Sequence, residues 1–186
     1  MKQKRFGSWH ICMAICVTAL CLAGLLSAQT QPQAQPQWKT YSYPTDGFSI
    51  STPSLPKLDK QNVKTDAGTF ELRAYLVEDG NSALYVGVCD YGQTGAGRDP
   101  DTVLQGARNG AITNVQAHIV SEGKISLGTY PGLSFEAENK DFHFSARIFY
   151  VGTTLYQTLI ARALSEPYAN ADAFLNSFQL IARTRP

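Results

Sequence analysis

The sequence is poor in cysteine and in net charge. It contains 4 Cys in 186 residues, and 16 Lys and Arg stand against 15 Asp and Glu, for a formal net charge of +1. So small an excess argues against a protein that binds nucleic acid electrostatically, because such proteins normally carry a strongly basic surface. No internal repeat is visible, and no Asn-x-Ser/Thr glycosylation sequon occurs. These absences exclude several functional classes and identify none.

Apolar and aromatic residues, in contrast, are plentiful. Hydrophobic residues make up 44% and charged residues 17% of the chain, which includes 9 Phe, 9 Tyr and 2 Trp. This composition excludes disorder over most of the length, and it excludes collagen-like or low-complexity architecture. At roughly 100–200 residues per domain, the length corresponds to one domain, or to one domain with tails.

The first 28 residues are predicted to form a secretory signal peptide. A basic cluster of Lys2, Lys4 and Arg5 precedes an uncharged apolar run at 11–26, and small residues follow up to Ala28. The run is shorter than the roughly 20 residues that span a bilayer as a helix. We therefore expect cleavage after Ala28, a periplasmic or secreted protein, and no integral membrane segment after cleavage. An uncleaved N-terminal anchor is the alternative.

Cleavage would leave a single cysteine. Cys12, Cys16 and Cys21 lie within the predicted signal peptide, so only Cys89 would remain, and one cysteine cannot form an internal disulfide. Cys89 lies in an apolar run without a nearby His, which favours a buried small hydrophobic residue over a catalytic thiolate. Cleavage would also remove three of the 16 basic residues, leaving thirteen against 15 acidic ones.

The remainder is predicted to be a short linker followed by one domain. Residues 29–37 (QTQPQAQPQ) are polar and contain proline, which predicts a flexible linker before a single domain at 38–184. Clean alternation at 69–77, a turn at 78–82 and an apolar run at 83–90 predict a β-hairpin. Further strands are predicted at 38–43, 48–51, 118–121, 124–127, 133–139, 142–151 and 155–163.

A helix is predicted to follow the hairpin. Asp99 is a suitable N-cap, and Pro100 suits the first helical position. Apolar residues at three- and four-residue spacing continue the pattern to Ile112. Gly106 and Gly110 either weaken this helix or allow it to pack close to a flat surface such as a sheet.

Ser165 is predicted to cap a last helix that runs from Pro167 to about Asn176. Hairpins with two interspersed helices are not a strict alternation of strand and helix, so a doubly wound parallel sheet is disfavoured. The expected fold class is α+β, with one mainly antiparallel sheet and helices packed on it.

A glycine-rich segment before the first predicted helix has the spacing of a phosphate-binding P-loop. Arg98 stands where the phosphate-binding Lys is required, Asp99 stands at the Ser/Thr position, and Pro100 removes one backbone N–H donor. These replacements favour a mobile strand-to-helix loop over a nucleotide site. The residues that stay as candidates for contacting a ligand or partner are Gly92, Gly95, Gly97 and Arg98.

The histidines form no recognisable catalytic or metal motif. His118 and His143 are far apart in sequence, whereas a catalytic zinc site usually has three protein ligands. Asp141 and His143 would share a strand face, which keeps a metal site open as an alternative. The Glu136-Ala-Glu138 pair is interpreted as solvated surface. No G-x-S-x-G motif occurs, and no catalytic residue, metal ligand or cofactor is predicted.

The strand predicted at 142–151 supplies a second set of candidate contacts. Phe142, His143, Phe144 and Tyr150 could line a groove for a ligand or a peptide. Aromatic residues at strand spacing more often pack in the core, since they carry much of the buried area. We expect some of these side chains in each role.

Several short motifs resemble bacterial exported domains of the PsbP-like superfamily. They are the segment 47–56 (GFSISTPSLP), Pro131-Gly132 before a strand, and the segments 150–156 (YVGTTLY) and 174–180 (FLNSFQL). The resemblance covers about 38–182 and implies an α/β/α sandwich, an antiparallel sheet between helices. Members include an extrinsic subunit of the oxygen-evolving photosystem and a nuclear Ran-binding protein, which act by binding other proteins. No shared catalytic residue carries over to this sequence.

The signal peptide, the missing catalytic motifs and the resemblance together predict a non-enzymatic domain, periplasmic or secreted, that binds an unidentified protein or cell-envelope component. It would do so through a sheet face or a loop end. The alternative is a small-molecule or metal-binding domain that uses the strand at 142–150 and the loop at 92–98. An unrecognised hydrolase is the third hypothesis, because catalytic residues can be dispersed in sequence.

Overall fold

The computed structural model of the chain describes residues 37–65 and 68–184. The predicted signal peptide (1–28) and all but the last residue of the predicted linker (29–37) lie outside the described residues. Both predictions therefore stay predictions. Within the described ranges the chain forms strands and helices in the order given next.

In chain order the elements are β1 (Lys39–Tyr43), β2 (Phe48–Thr52), β3 (Lys57–Thr65), β4 (Gly68–Asp79), β5 (Ser82–Asp90), α1 (Gly92–Gly95), α2 (Pro100–Asn114), β6 (His118–Leu127), β7 (Tyr130–Glu138), β8 (Phe142–Val151), β9 (Thr154–Ala163), α3 (Ala171–Ser177) and β10 (Gln179–Leu180).

The strands form one large sheet and one small sheet. The large sheet has seven strands in the order β3-β4-β5-β9-β8-β7-β6, and the small sheet has the order β1-β2-β10. Every pair of neighbours in both sheets is antiparallel. The mainly antiparallel sheet predicted from the hairpin patterns is thus confirmed.

The two faces of the large sheet are covered by different elements. Successive side chains on a strand point to opposite faces, so each strand contributes to both. On the face that we call the α2 face, Phe144, Ala146 and Ile148 pack with Val103 and Leu104 of α2. On the opposite face, which we call the small-sheet face, side chains of β4, β5 and β9 pack with the small sheet and α3.

The small-sheet face contains the most deeply buried apolar side chains. Phe48 and Ile50 of β2 and Phe174 of α3 are completely buried against this face. The Phe178 ring lies between others, with ring centroids 5.8 Å from Phe48 and 6.0 Å from Phe149. Stacked aromatic pairs of this kind contribute beyond the area they bury.

A buried polar network joins the turn between β1 and β2 to the large sheet. Asp46 is 3% exposed, and its Oδ1 accepts a hydrogen bond of 2.7 Å from Arg73 Nε. The Tyr75 hydroxyl donates to Asp46 Oδ2, and the Tyr156 hydroxyl donates to the Asp46 carbonyl oxygen at 2.7 Å. The buried carboxylate is thereby paired and hydrogen-bonded, as burial of a charge requires.

Two local predictions are confirmed in detail. The β4–β5 hairpin closes with Asp79 opposite Ser82. Helix α2 begins at Pro100, with the Asp99 carboxylate accepting a hydrogen bond of 2.9 Å from the Thr102 N–H. Both features depend on signals that lie within a few residues of each other, namely alternation around a turn and an N-cap before proline.

Other elements differ from the sequence predictions. The strand β3 was not predicted, because a mostly exposed edge strand of composition KLDKQNVKT has no apolar alternation. The strands predicted at 118–121 and 124–127 form one strand, β6, with an irregular register between Ile119 and Ser121. The predicted glycine-rich loop contains one helical turn, α1. The last helix begins at Ala171 rather than Pro167, and Asn170, not Ser165, occupies its N-cap position.

The helical layers are thinner than an α/β/α sandwich would require. The α2 face carries one long helix, while the other face carries mainly the small sheet together with the seven-residue α3. The sheet thus agrees with the predicted α+β class and the helical layers agree only in part. Over the described residues, none of the helices has both the length and the apolar character to cross a membrane.

Candidate binding cleft

A large cleft lies between α2 and the part of the sheet that α2 leaves uncovered. The helix packs mainly on β7 and β8. The cavity beside it has a volume of about 780 Å³ and is bordered by β3, β4, β5 and β9. Ligand pockets in proteins typically measure about 300–1,000 Å³. We call this cavity the α2 cleft.

Apolar side chains form the floor of the α2 cleft. Leu72 and Leu76 of β4 and Leu155 and Leu159 of β9 line it, on either side of β5. The strand register explains their proximity, because Leu72 lies opposite Cys89, which lies opposite Leu155. The floor is therefore produced by side chains from segments that are distant in sequence.

The helix side of the cleft is lined by small residues. Gly106, Ala107, Gly110 and Ala111 face it from α2. A Cβ added at Gly106 or Gly110 would meet no atom within 4 Å, so both glycines border open space. Of the two alternatives for these glycines, close packing of the helix on the sheet is therefore wrong, since α2 lies against β7 and β8 through Val103 and Leu104 instead.

Tyr85 lies along the floor over Gly87. A Cβ at Gly87 would clash with the Tyr85 ring and hydroxyl, so the position requires glycine for this arrangement. Burial raises the pKa of Tyr85 to about 12. Cys89 lies beside it, 4% exposed, and burial raises the pKa of its thiol. The prediction of a buried, unpaired cysteine is confirmed.

The charged residues among the described lining of the α2 cleft all carry positive charge. They are Lys64 at the end of β3 and Arg98 just before α2. Among the residues that the structure describes, no Asp, Glu or His lines the cleft, and neither cation has a salt-bridge partner. Over the described residues, the cleft is thus a mainly apolar cavity with basic groups and no acidic ones.

The predicted candidate residues fall in three places. Arg98 and Phe144 line the α2 cleft. Gly95 and Tyr150 are buried together, and the Tyr150 hydroxyl donates a hydrogen bond of 2.7 Å to the Gly95 carbonyl. Gly92 and Gly97 are exposed beside them, with positive φ and open space around each α-carbon.

Phe142 and His143 are not part of the α2 cleft lining. Phe142 is 39% exposed at the start of β8, with its ring centroid 6.3 Å from that of Phe144. His143 points to the opposite face of the sheet, where its Nε2 lies 2.6 Å from Glu136 Oε2 and its Nδ1 lies 2.8 Å from Glu138 Oε1. The loop and strand candidates thus do not form one site.

His143, Glu136, Glu138 and Ser145 form a cluster. Its geometry is not that of a serine activated by a histidine, nor that of a metal centre. The Ser145 hydroxyl donates to Glu136 Oε2 at 2.5 Å, so its partner is a carboxylate rather than the imidazole. Within 37–65 and 68–184, no group of three or more His, Cys, Asp or Glu side chains is placed to hold a metal ion. A second cavity of about 430 Å³, beside α3, includes Glu136 but neither His118 nor His143.

Most of the cleft cannot be predicted from the sequence. Lys64 lies in β3, which has no apolar alternation, and the patterns around Tyr85 and Leu159 indicate only that these residues lie in strands. A Gly two positions after Tyr85 and two glycines four positions apart in α2 were the visible signals. Their meaning depends on the strand order, which the sequence does not state.

No protein family model and no curated protein matches the sequence. Among solved structures, the chain is similar to cyanobacterial PsbP (CyanoP) from Synechocystis sp. PCC 6803, with a TM-score of 0.52 and 13% sequence identity. The match covers 80% of this chain and 95% of that chain. The resemblance drawn from short motifs is thereby confirmed at the level of the fold, which is PsbP-like. An identity this low carries fold and no function.

Proposed function

We propose that this chain is an exported, non-enzymatic binding domain of the cell envelope, and that the α2 cleft is where it receives part of a protein or other envelope partner. The observation that carries the proposal is the cleft itself, an apolar cavity of about 780 Å³ beside a helix that covers only part of the sheet. Export rests on the predicted signal peptide at 1–28.

The chemistry of the cleft favours binding over catalysis. General acid–base catalysis near neutral pH usually employs a histidine or a carboxylate with a tuned pKa. Among the described residues, those with ionisable side chains that line the cleft are Lys64, Arg98, Cys89, Tyr85 and Tyr91. Burial raises the pKa of the Cys89 thiol, which keeps it in the less nucleophilic form.

Filling the cleft tests the proposal. Gly110→Leu would place a branched side chain into open space, while Gly110→Ala adds only a methyl group as the matched control. We expect the unsubstituted protein and Gly110→Ala to cross-link to the same component of the envelope fraction, and Gly110→Leu to lose it. Recovery of that component with Gly110→Leu, or of none with any variant, would contradict the proposal.

A small-molecule ligand in the same cleft is the second candidate, and the cavity volume favours it. Specific binding to the folded state raises the melting temperature. A thermal-shift screen over envelope metabolites should therefore produce a shift of several degrees that Gly110→Leu abolishes.

A further inference from the structure

Within 37–65 and 68–184, the charged residues of the α2 cleft all carry positive charge. Lys64 and Arg98 both line it, and no carboxylate among the described residues does. Lys64 is exposed and Arg98 is half-buried. Neither has a salt-bridge partner among the described residues, so both can pair with an anionic group on whatever occupies the cleft.

The register places these cations at one end of the cleft. Gln61 pairs with Leu72, and Leu72 pairs with Cys89, so the end of β3 that carries Lys64 lies near the end of β5. From the end of β5 the chain continues through α1 to Arg98 and the start of α2. Thr102, in the first turn of α2, lines the same end.

The opposite end of the cleft is mainly apolar, with Asn114 as a polar residue in its lining. Ala83 pairs with Ala161, and Ala161 pairs with Phe144. All three line the cleft, and Ala111 and Val115 border it near the end of α2. The cleft therefore changes along its length from basic to apolar.

We propose that the α2 cleft binds an amphipathic organic anion, with an alkyl chain along the leucine floor and a carboxylate at Lys64 and Arg98. This inference rests on the proposed function of the cleft and names the class of its ligand. Arg98 is suited to the carboxylate because a guanidinium donates two parallel hydrogen bonds to it. The leucine floor supplies apolar surface for the chain.

The two parts of such a ligand would contribute in measurable ways. Burying one methylene group tightens binding about fourfold, so affinity should rise steeply with chain length. A charge-assisted hydrogen bond contributes about tenfold or more, so loss of the cations should weaken carboxylate binding by at least that factor. A neutral head group on the same chain should not respond to that loss.

Calorimetric titrations of the purified protein with three probes separate the contribution of the alkyl chain from that of the carboxylate. The probes are dodecanoate, octanoate and the neutral dodecyl maltoside, each below its critical micelle concentration. We expect dodecanoate to bind more tightly than octanoate and more tightly than dodecyl maltoside. Lys64→Gln combined with Arg98→Gln should weaken dodecanoate binding about tenfold or more and leave dodecyl maltoside binding unchanged. The matched control is Lys57→Gln combined with Arg162→Gln, which removes two cations outside the cleft and should change neither affinity.

Gly110→Leu distinguishes the two proposals. Equal binding of dodecanoate and dodecyl maltoside, abolished by Gly110→Leu, would overturn the anion inference and leave the cleft as the binding site. Dodecanoate binding that Gly110→Leu does not reduce would place the ligand elsewhere and overturn the inference. Absence of binding by all three probes would also overturn it, while the envelope cross-linking experiment would still decide the proposed function.

Discussion

The two faces of the large sheet differ in how completely they are covered. On the small-sheet face, three strands and α3 bury Phe48, Ile50 and Phe174 completely. On the α2 face, one helix packs over β7 and β8 and leaves a cavity of about 780 Å³ over the other strands. One face is a closed core and the other is half core, half cleft.

The dimensions of the elements explain the difference. A helix with its side chains is about 10–12 Å wide, and neighbouring strands lie about 4.8 Å apart, so one helix covers two or three strands. The large sheet has seven strands, which α2 alone is too narrow to cover. Among the described residues, the α2 face has one long helix where a closed layer requires two, and part of the face is therefore open.

The largest expected effect comes from opening the closed face. Asp46→Ala would leave Arg73 without its buried partner and should lower the free energy of unfolding by about 3 kcal/mol. Urea denaturation measures the change. Asp101→Ala removes the exposed pair with Lys124 on the α2 side and should leave the midpoint unchanged. Equal midpoints for the two variants would contradict the importance of the Asp46 network.

The burial of Tyr85 in the cleft floor should make the free energy of unfolding depend on pH in alkaline solution. Burial raises the pKa of Tyr85 to about 12, so the unfolded chain ionises first as the pH rises. The contribution of the neutral phenol is complete below about pH 10 and is lost between about pH 10 and 12, at about 1.4 kcal/mol per pH unit. Above pH 10 the free energy of unfolding should therefore decline less steeply with pH for Tyr85→Phe than for the unsubstituted protein. If urea denaturation from pH 7 to 11 gives parallel curves of unfolding free energy for the two proteins, Tyr85 is not buried.

A glycine substitution in α2 should stabilise the protein. Gly110 borders open space, so Gly110→Ala gains helix propensity without a clash and should raise the free energy of unfolding by about 1 kcal/mol. Gly95→Ala is the contrasting variant, because its Cβ would lie 2.8 Å from the Tyr91 Cβ, and it should destabilise. A loss of stability in Gly110→Ala would mean that the cleft is filled by the protein itself.

The smallest effect concerns the end of β5, where Asp90 forms an ion pair with Arg183. Burial acts to raise the pKa of Asp90, but hydrogen bonds from the Gly92 N–H, Arg183 and Thr153 outweigh it and hold the pKa below its usual value. This contribution is present above about pH 4 and is lost as the pH falls below that. Asp90→Asn should cost less than about 1 kcal/mol at pH 7, because the pair is partly exposed, and nothing at pH 2. If Asp90→Asn lowers the free energy of unfolding equally at pH 7 and pH 2, the stabilisation does not come from the ionised Asp90 carboxylate.

Local sequence patterns predict the hairpins and α2. The cleft depends on contacts between residues that are far apart in sequence, so no local pattern predicts it. The N-cap Asp99 and the turn at 78–82 are recognised within a few residues. Strand β3 escaped prediction because an exposed edge strand needs no apolar alternation. Without that strand, Lys64 cannot be placed in the fold from the sequence. Arg98 is predicted as a candidate contact of the loop at 92–98, but the sequence does not indicate that it shares a cavity with Lys64.

The sequence alone was sufficient for the antiparallel pairing and the long helix, because alternation, turns and caps act between neighbouring residues. Tertiary structure alone decided that Lys64, Tyr85, Arg98 and Leu159 line one cavity. The order β3-β4-β5-β9 brings together segments nearly a hundred residues apart, and the width of a single helix leaves them uncovered. Neither the strand order nor that uncovered area is encoded in any short stretch of the chain.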